Sequence, residues 1–306
     1  MRRPLQLLAH LLVVTLGAVS LVFVALRITG DPALMIAPPN ATEDDLAAIR
    51  RDLGLDRPPL VQYLDFLRKV TRGDLGESLR YRRPALELIS ERAAATLELA
   101  GAAQGLALLV AIPLGVLAAV RRSTWIDTLV TMLATAGQSI PYFWLGLMGM
   151  VLFGVQLGWL PTSGRGSLSH LILPAVTLSS YSLASLTRLV RSSVVEVTRA
   201  DYVRTARAKG LGGGVVLFKH TLKNALIPVV TLLGLQVGGL LSGAVIVETV
   251  FAWPGIGRLT VEAIHTRDYP LVQAGVLIMA LLFVVLNRAV DVGYRWLDPR
   301  LRAADA

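Results

Sequence analysis

The residue types that most often carry chemistry are sparse in this chain and poorly spaced for it. Four histidines, His10, His170, His220 and His265, lie far apart. None forms the H-x-x-x-H or H-E-x-x-H spacing that places two metal ligands on one helical face. No G-x-S-x-G turn presents a serine nucleophile. The absence of cysteine removes thiol nucleophiles, disulfides, Cys-ligated zinc and iron–sulfur clusters together. A phosphate cradle of the form G-x-x-x-x-G-K-[ST] is missing too, because the glycines between Gly210 and Gly214 are not followed by Gly-Lys-Ser/Thr. Nothing else offers to hold the β- and γ-phosphates of a nucleotide. No catalytic residue, metal site or cofactor is expected, and the chain is not expected to be an enzyme.

What remains is binding and movement. The stretch "DYVRTARAKGLGGG", Asp201 to Gly214, is charged and then glycine-rich inside a chain that is 54% hydrophobic. Elsewhere Gln138, Ser139, Ser179, Ser180, Ser182, Ser185 and Gln236 interrupt otherwise apolar runs. Polar side chains at membrane depth mark a path or bond back to their own helix. Gln138, Ser139, Ser182 and Gln236 are the candidates for a substrate path. Glu98 and Glu248 fall near span ends, where a carboxylate either serves function or reaches water.

The elements that position these residues are membrane spans. A mean hydropathy of +0.61 over 306 residues exceeds that of a soluble domain. Apolar windows of about 20 residues occur near 7–27, 96–120, 127–157, 170–190, 226–249 and 271–291. The third is long enough to be tilted or broken. The first follows Met1-Arg2-Arg3-Pro4 without a small-x-small cleavage site and reads as a retained span rather than a leader. The net charge of +9 fits topology and anionic lipid better than nucleic acid. Arg2 and Arg3, Arg121 and Arg122, the eight Lys/Arg of 188–223, and Arg295, Arg300 and Arg302 all fall on one side. The short loops 158–169 and 250–270 hold one and two. Both termini are therefore expected in the cytoplasm. The expected fold is an all-α membrane protein of six transmembrane helices. Its organisation is an N-terminal helix 1–27, an external helical annex 28–95, a core 96–291 with a cytoplasmic loop 191–223, and a tail 292–306.

The annex carries its own signals. Thr42-Glu43-Asp44-Asp45 is a capping-box start, Gly54 a helix stop, and Leu60, Tyr63, Leu64, Leu67 and Val70 stand at helical spacing. In the cytoplasmic loop, Glu196, Arg199, Asp201, Arg204, Arg207 and Lys209 would each cost about 3 kcal/mol at the bilayer centre. That places 191–223 in water or against another protein. With no proline or glycine, Val194 to Lys209 reads as one helix that stops at Gly210. Small residues ringed by charges of both signs give it the outline of a docking helix, the alternative being a solvated face.

"DYVRTARAKGLGGGVVLFKHTLKNALIPVV" at 201–230 resembles the cytoplasmic loop of ABC-importer permeases, in particular the dipeptide/oligopeptide/nickel family. The resemblance extends to "GDLGESL" at 73–79, "SIPYFWLG" at 139–146, "ETVFAWPGIGRL" at 248–259, "RDYPLVQ" at 267–273 and "NRAVDVGYRWLDPRL" at 287–301. It implies the type I ABC importer permease fold and a loop that inserts into a groove of a cytoplasmic ATPase subunit. The family pattern Glu-Ala-Ala, three residues, Gly falls here on Arg204-Thr205-Ala206 and Gly210, departing at the Glu. Arg204, Thr205, Ala206, Lys209, Gly210 and Leu211 are thereby the expected ATPase-coupling residues. The implied partners are a second homologous permease subunit, two ABC ATPase subunits, an external solute-binding protein and the lipid of a bacterial inner membrane. Nucleic acid is not among them. "LLSGAV" at 240–245 looks like an ABC signature loop, but its place inside an apolar span fits close helix packing instead.

A self-sufficient secondary transporter or channel would need an intramembrane charge relay or an inverted repeat, and neither is evident. Dipeptide, oligopeptide, glutathione and nickel importers are not separable from these residues. The orientation is directly measurable: a cysteine at Ser167 should label from outside and one at Gly213 only from inside. Outside labelling at Gly213 in intact cells would reverse the topology.

Overall fold

A computed structural model describes residues 16–28, 31, 33–38 and 40–297. The expected positions 7–15 of the first span and 298–306 of the tail lie outside the described residues. Among those described, regular structure is helical apart from one isolated β-bridge between Glu77 and Pro84. Three helices are long and apolar enough to cross a membrane: Ala85–Val120, the composite Gly213–Val250, and Tyr269–Val290. A fourth crossing is present if the pair Trp125–Ser139 and Tyr142–Gln156, bent by 106°, counts as one. The expected span 170–190 falls on a 30-residue helix whose apolar residues are interrupted by Ser179, Ser180, Ser182, Ser185 and Arg188.

The chain divides into two compact units, residues 1–96 with 254–284 and residues 97–253 with 285–306. In the first, α1 (Leu16–Ile28), α2 (Ala33–Ile36), α3 (Glu43–Asp52) and α4 (Pro59–Val70) precede the start of α5 (Ala85–Val120). They are joined by α13 (Ile256–His265) and the start of α14 (Tyr269–Leu297). The capping box forms at Thr42, whose hydroxyl accepts from the Asp45 N–H while the Asp45 carboxylate accepts from the Thr42 N–H. Those bonds from Thr42 hold the Asp45 carboxyl below its ordinary range. Gly54, with φ +64°, turns the chain after α3. The α4 stripe is divided: Val70 reaches the core, joined there by Phe66 from outside the stripe, Tyr63 packs edge-on to Phe23 at 5.1 Å, and Leu60 and Leu64 are exposed.

The core of this unit is Val19, Leu26, Leu75, Ile89, Ile256, Leu271, Val272 and their neighbours. At its edge Asp268 is 1% exposed. Its carboxylate accepts from Ser78 Oγ at 2.5 Å, from the Leu79 and Arg80 N–H groups at 3.1 and 3.2 Å, and from Leu271 N–H at 3.3 Å. The motifs at 73–79 and 267–273 are thus two halves of one joint. An acidic residue just ahead of α14 caps it, and the same oxygens gather the turn from 78 to 80. Gly76, at φ +83°, admits Pro270, whose Cβ would lie 3.1 Å from a side chain there.

The second unit holds the remainder of α5, then α6 (Trp125–Ser139), α7 (Tyr142–Gly149) with a π-helical extension Met150–Gln156, and α8 (Leu168–Val197). It continues with α9 (Asp201–Ala208), α10 (Gly213–Val215), a π-helical Val216–Leu222, α11 (Lys223–Ala225) and α12 (Ile227–Val250). The α6–α7 break falls at Ile140-Pro141, where Ile140 is extended at φ −87° and ψ 124°, the conformation a following proline favours. α8 packs through small residues. A Cβ on Gly115 would meet Val190 Cβ at 2.7 Å, and one on Gly243 of α12 would meet Tyr142 Cε2 at 2.9 Å and Leu178 Cδ1 at 3.0 Å.

Removing the Asp268 carboxylate leaves the Ser78 hydroxyl and two loop N–H groups without their acceptor, at about 1–3 kcal/mol per buried orphan. Asp268→Ala should accordingly lower the unfolding midpoint of the detergent-purified protein by several degrees, and Asp268→Asn, which keeps one acceptor oxygen, by less. Equal midpoints for wild type and Asp268→Ala would show that the joint contributes nothing.

Candidate functional site: a polar groove and an exposed short helix

Gln138, in the last turn of α6, faces α8. Its Nε2 donates to Ser185 Oγ, and its Oε1 accepts from the Arg188 guanidinium. On α8, Tyr181, Ser182, Ser185, Arg188, Leu189 and Ser192 recur every three or four residues and so share one strip. Across from them, Gln236 and its helical neighbours on α12 close the space, and Tyr142 enters from the start of α7. The result is a groove of about 660 Å³ with a polar floor and leucine walls. Gln236 is 8% exposed, and its Oε1 has no hydrogen-bond partner.

The structure brings together three of the four expected path residues, Gln138, Ser182 and Gln236. Ser139 is elsewhere. One residue beyond Gln138, it lies on a second concavity with Thr131, Thr135, Asp127 and Arg191, and its hydroxyl bonds to the Thr135 carbonyl. Arg188 belongs to the groove, although by sequence it counts only as one more loop charge. The readable signal is its three-residue spacing after Ser185 and Ser182.

An ion pair ties together the two helices that carry Gln138 and Arg188. Asp127, in the first turn of α6, accepts from Arg191 Nε and from its NH2 at 2.7 Å, and from the Ser123 N–H at 3.0 Å. Its side chain is 8% exposed and that of Arg191 31%. The pair clamps the beginning of α6 to the last turns of α8. Glu98 is half-exposed and pairs with Arg165 at 2.5 Å, whereas Glu248 is fully buried.

The expected continuous helix from Val194 to Lys209 is corrected by the structure. α8 ends at Val197, Ala200 is extended at φ −65° and ψ 146°, and α9 starts afresh at Asp201. Local propensity gives no reason to stop there. The break lets Val203 and Ala206 turn inward onto Val216, Val197 and Ala200. Ala206, 6% exposed, is therefore buried against its own chain. Arg204, Thr205, Lys209, Gly210 and Leu211 are exposed, as are Tyr202 and Arg207. Arg204 and Asp201 approach to 3.6 Å with side chains 76% and 99% exposed, too open to the solvent to matter for stability. Gly210, at φ +79°, ends the element, with its N–H on the Arg207 carbonyl and the Leu211 N–H on that of Ala206. Tyr202 OH accepts from Asn224 Nδ2 at 2.9 Å, which ties α9 to α11.

A charged surface helix and a polar groove walled on one side by α12, part of a helix long and apolar enough to cross a membrane, belong to a membrane component. Residues 111–303 match the family described as binding-protein-dependent transport system inner membrane component, and residues 1–100 match its N-terminal counterpart. The chain belongs to this family. It is 41% identical over 330 aligned positions to the dipeptide transport system permease protein DppB of Alkalihalophilus pseudofirmus, covering 99% of this chain and 98% of that one. It is 45% identical over 303 positions to the glutathione transport system permease protein GsiC of Salmonella typhimurium, with the same coverage. Among solved structures it resembles the inward-facing MetNI methionine ABC transporter, with a TM-score of 0.58 at 20% identity over 69% of this chain and 96% of that one. That likeness is one of fold.

Breaking the clamp from one side should be worse than removing it. Arg191→Ala leaves the Asp127 carboxylate with the Ser123 N–H alone, a loss of about 1–3 kcal/mol. The double replacement Asp127→Leu with Arg191→Leu should recover most of the thermal stability. A double variant no more stable than Arg191→Ala would mean that the pair is more than a mutual neutralisation.

Proposed function

We propose that this chain is one permease subunit of an ATP-driven importer of small peptides or a related solute, in an inner membrane. In this reading the chain crosses the bilayer six times with both termini in the cytoplasm. A second, homologous permease faces it, each permease docks one ATPase subunit, and an external binding protein delivers the solute near the 28–95 annex. Dipeptides and glutathione are the solutes named for the relatives, and both are short amide-linked acids. The observation that carries the proposal is α9 with its cap, a charged, exposed and rigidly fastened element with no chemistry of its own. Such an element is suited to receive motion from a nucleotide-hydrolysing partner, and the chain lacks the phosphate cradle to generate that motion itself.

Docking is assigned to the outward face, Arg204, Thr205, Lys209, Gly210 and Leu211. Ala206 supports it from beneath, since its methyl group rests on Val203 and Val216. A bulky acid at Ala206 disturbs the seat of α9, whereas reversing Arg204 alters only what a partner meets.

Reconstitution in liposomes tests this reading. The purified chain alone should neither hydrolyse ATP nor move solute, and activity should appear when a second permease, the ATPase subunits and a binding protein are supplied. With Arg204→Glu and Lys209→Glu together, copurification of the ATPase should fall by at least about tenfold, as charge reversal within an interface dictates, while membrane insertion is unchanged. Solute uptake by the isolated chain driven by an ion gradient would instead make it a secondary transporter.

A further inference from the structure

Arg188 and Arg191 lie one turn apart on α8, and their circumstances differ. Arg191 is neutralised by Asp127. Arg188 gives a hydrogen bond to the neutral Gln138, and no carboxylate among the described residues stands within ion-pair distance of it. A guanidinium has five N–H donors, so most of its capacity remains open beside the cavity it lines. Arg188 is exposed at the edge of the groove, so its guanidinium is open to a ligand.

The other side of the groove offers the complement. Gln236 is 8% exposed, and its Oε1 accepts nothing. A buried acceptor without a donor is unfavourable, and a donated N–H would relieve it. The groove therefore lacks one anion and one donor. The Gln138 amide, anchored by Ser185, steadies the guanidinium from behind and leaves its outer edge free for a carboxylate in the bidentate manner arginine favours.

We propose that this groove is a solute site for small carboxylates that also carry an N–H donor, short peptides being the simplest. Arg188 takes the carboxylate, and the Gln236 amide, by turning its shielded Oε1 toward the groove, accepts from an amide or ammonium N–H of the same molecule. Gln138 is a positioning residue that acts through Arg188. The leucines on either side, Leu189, Leu232 and Leu235, leave side-chain identity unread, so the site selects the ends of a peptide rather than its residues. The proposal rests on the permease reading above and adds to it the part of the wall that meets the solute.

The absence of natural cysteines allows a test that does not depend on transport. Single cysteines are placed at Ser192, an exposed groove position one turn beyond Arg188, and at Leu235 on the facing helix. In the purified full transporter each is treated with anionic sulfonatoethyl methanethiosulfonate and with its cationic trimethylammonioethyl counterpart. After correction for their rates on a free thiol, the anionic reagent should react at least about fivefold faster, as a nearby fixed cation dictates. Arg188→Gln should abolish that preference and Arg188→Lys should keep it. Alanyl-alanine should slow labelling more than alanyl-alanine amide does, and Gln236→Leu should weaken this protection without changing the charge preference. Absence of a charge preference, equal protection by acid and amide, or cysteines unreactive to both reagents because a second permease or lipid covers the groove would each overturn the assignment. ATP-driven uptake is measured separately. A transporter that passes these tests yet imports no peptide refutes the import reading alone, and one that imports yet fails them refutes only the groove.

Discussion

The Asp127–Arg191 pair is the constraint from which the groove hangs. α6 has only 15 residues between its start at Trp125 and the break at Ile140-Pro141. Fixing its first turn to the end of α8 therefore determines where its last turn must lie. That last turn carries Gln138, which arrives opposite Ser185 and Arg188. A carboxylate that accepts from a guanidinium and a backbone N–H holds direction as well as distance. The close approach of Gly137 to α8, where a Cβ would stand 3.5 Å from Ala184 Cβ, lets the two helices meet in between. Charge at one end, a small residue in the middle and a proline bend at the other set the groove's outline before any solute is considered.

The exposed helix and the groove share a frame. Val203 and Ala206 seat α9 on Val216, and Tyr202 reaches Asn224, while Ala225 and Val229 belong to the same packed cluster as Leu186 and Val190 of α8. α9 is therefore fastened to the two helices that line the groove rather than carried on a loose loop, and Ala206 is spent on that internal packing.

Much of this was legible in the residues, and what was not has a physical cause. The capping box at Thr42, the stop at Gly210, the break in the 127–157 region and the family itself could all be read, because each depends on local chemistry or on long strings of matching residues. Three of the four path candidates also meet. Ser139 does not, because neighbouring residues on a helix point about 100° apart and Gln138 took the inward direction. The inward turn of Ala206 was not legible, since the break at Ala200 is made by packing on Val216, distant in sequence, and carries no glycine or proline to announce it. Asp268 and Asp127 were missed for a related reason. An acidic residue beside a helix start reads as a cap, and the partners that make it a joint, Ser78 in one case and Arg191 in the other, lie 190 and 64 residues away.

The π-helical Val216–Leu222 stands between the seat of α9 and the start of α12. Its hydrogen bonds close one residue later than those of an α-helix. A surplus residue in a helix sets the residues beyond it about 100° out of the phase that an unbroken α-helix would give them. The strip of α12 that carries Gln236 therefore meets the groove in a phase that depends on the π-helical turn behind it as well as on the packing of α12 itself.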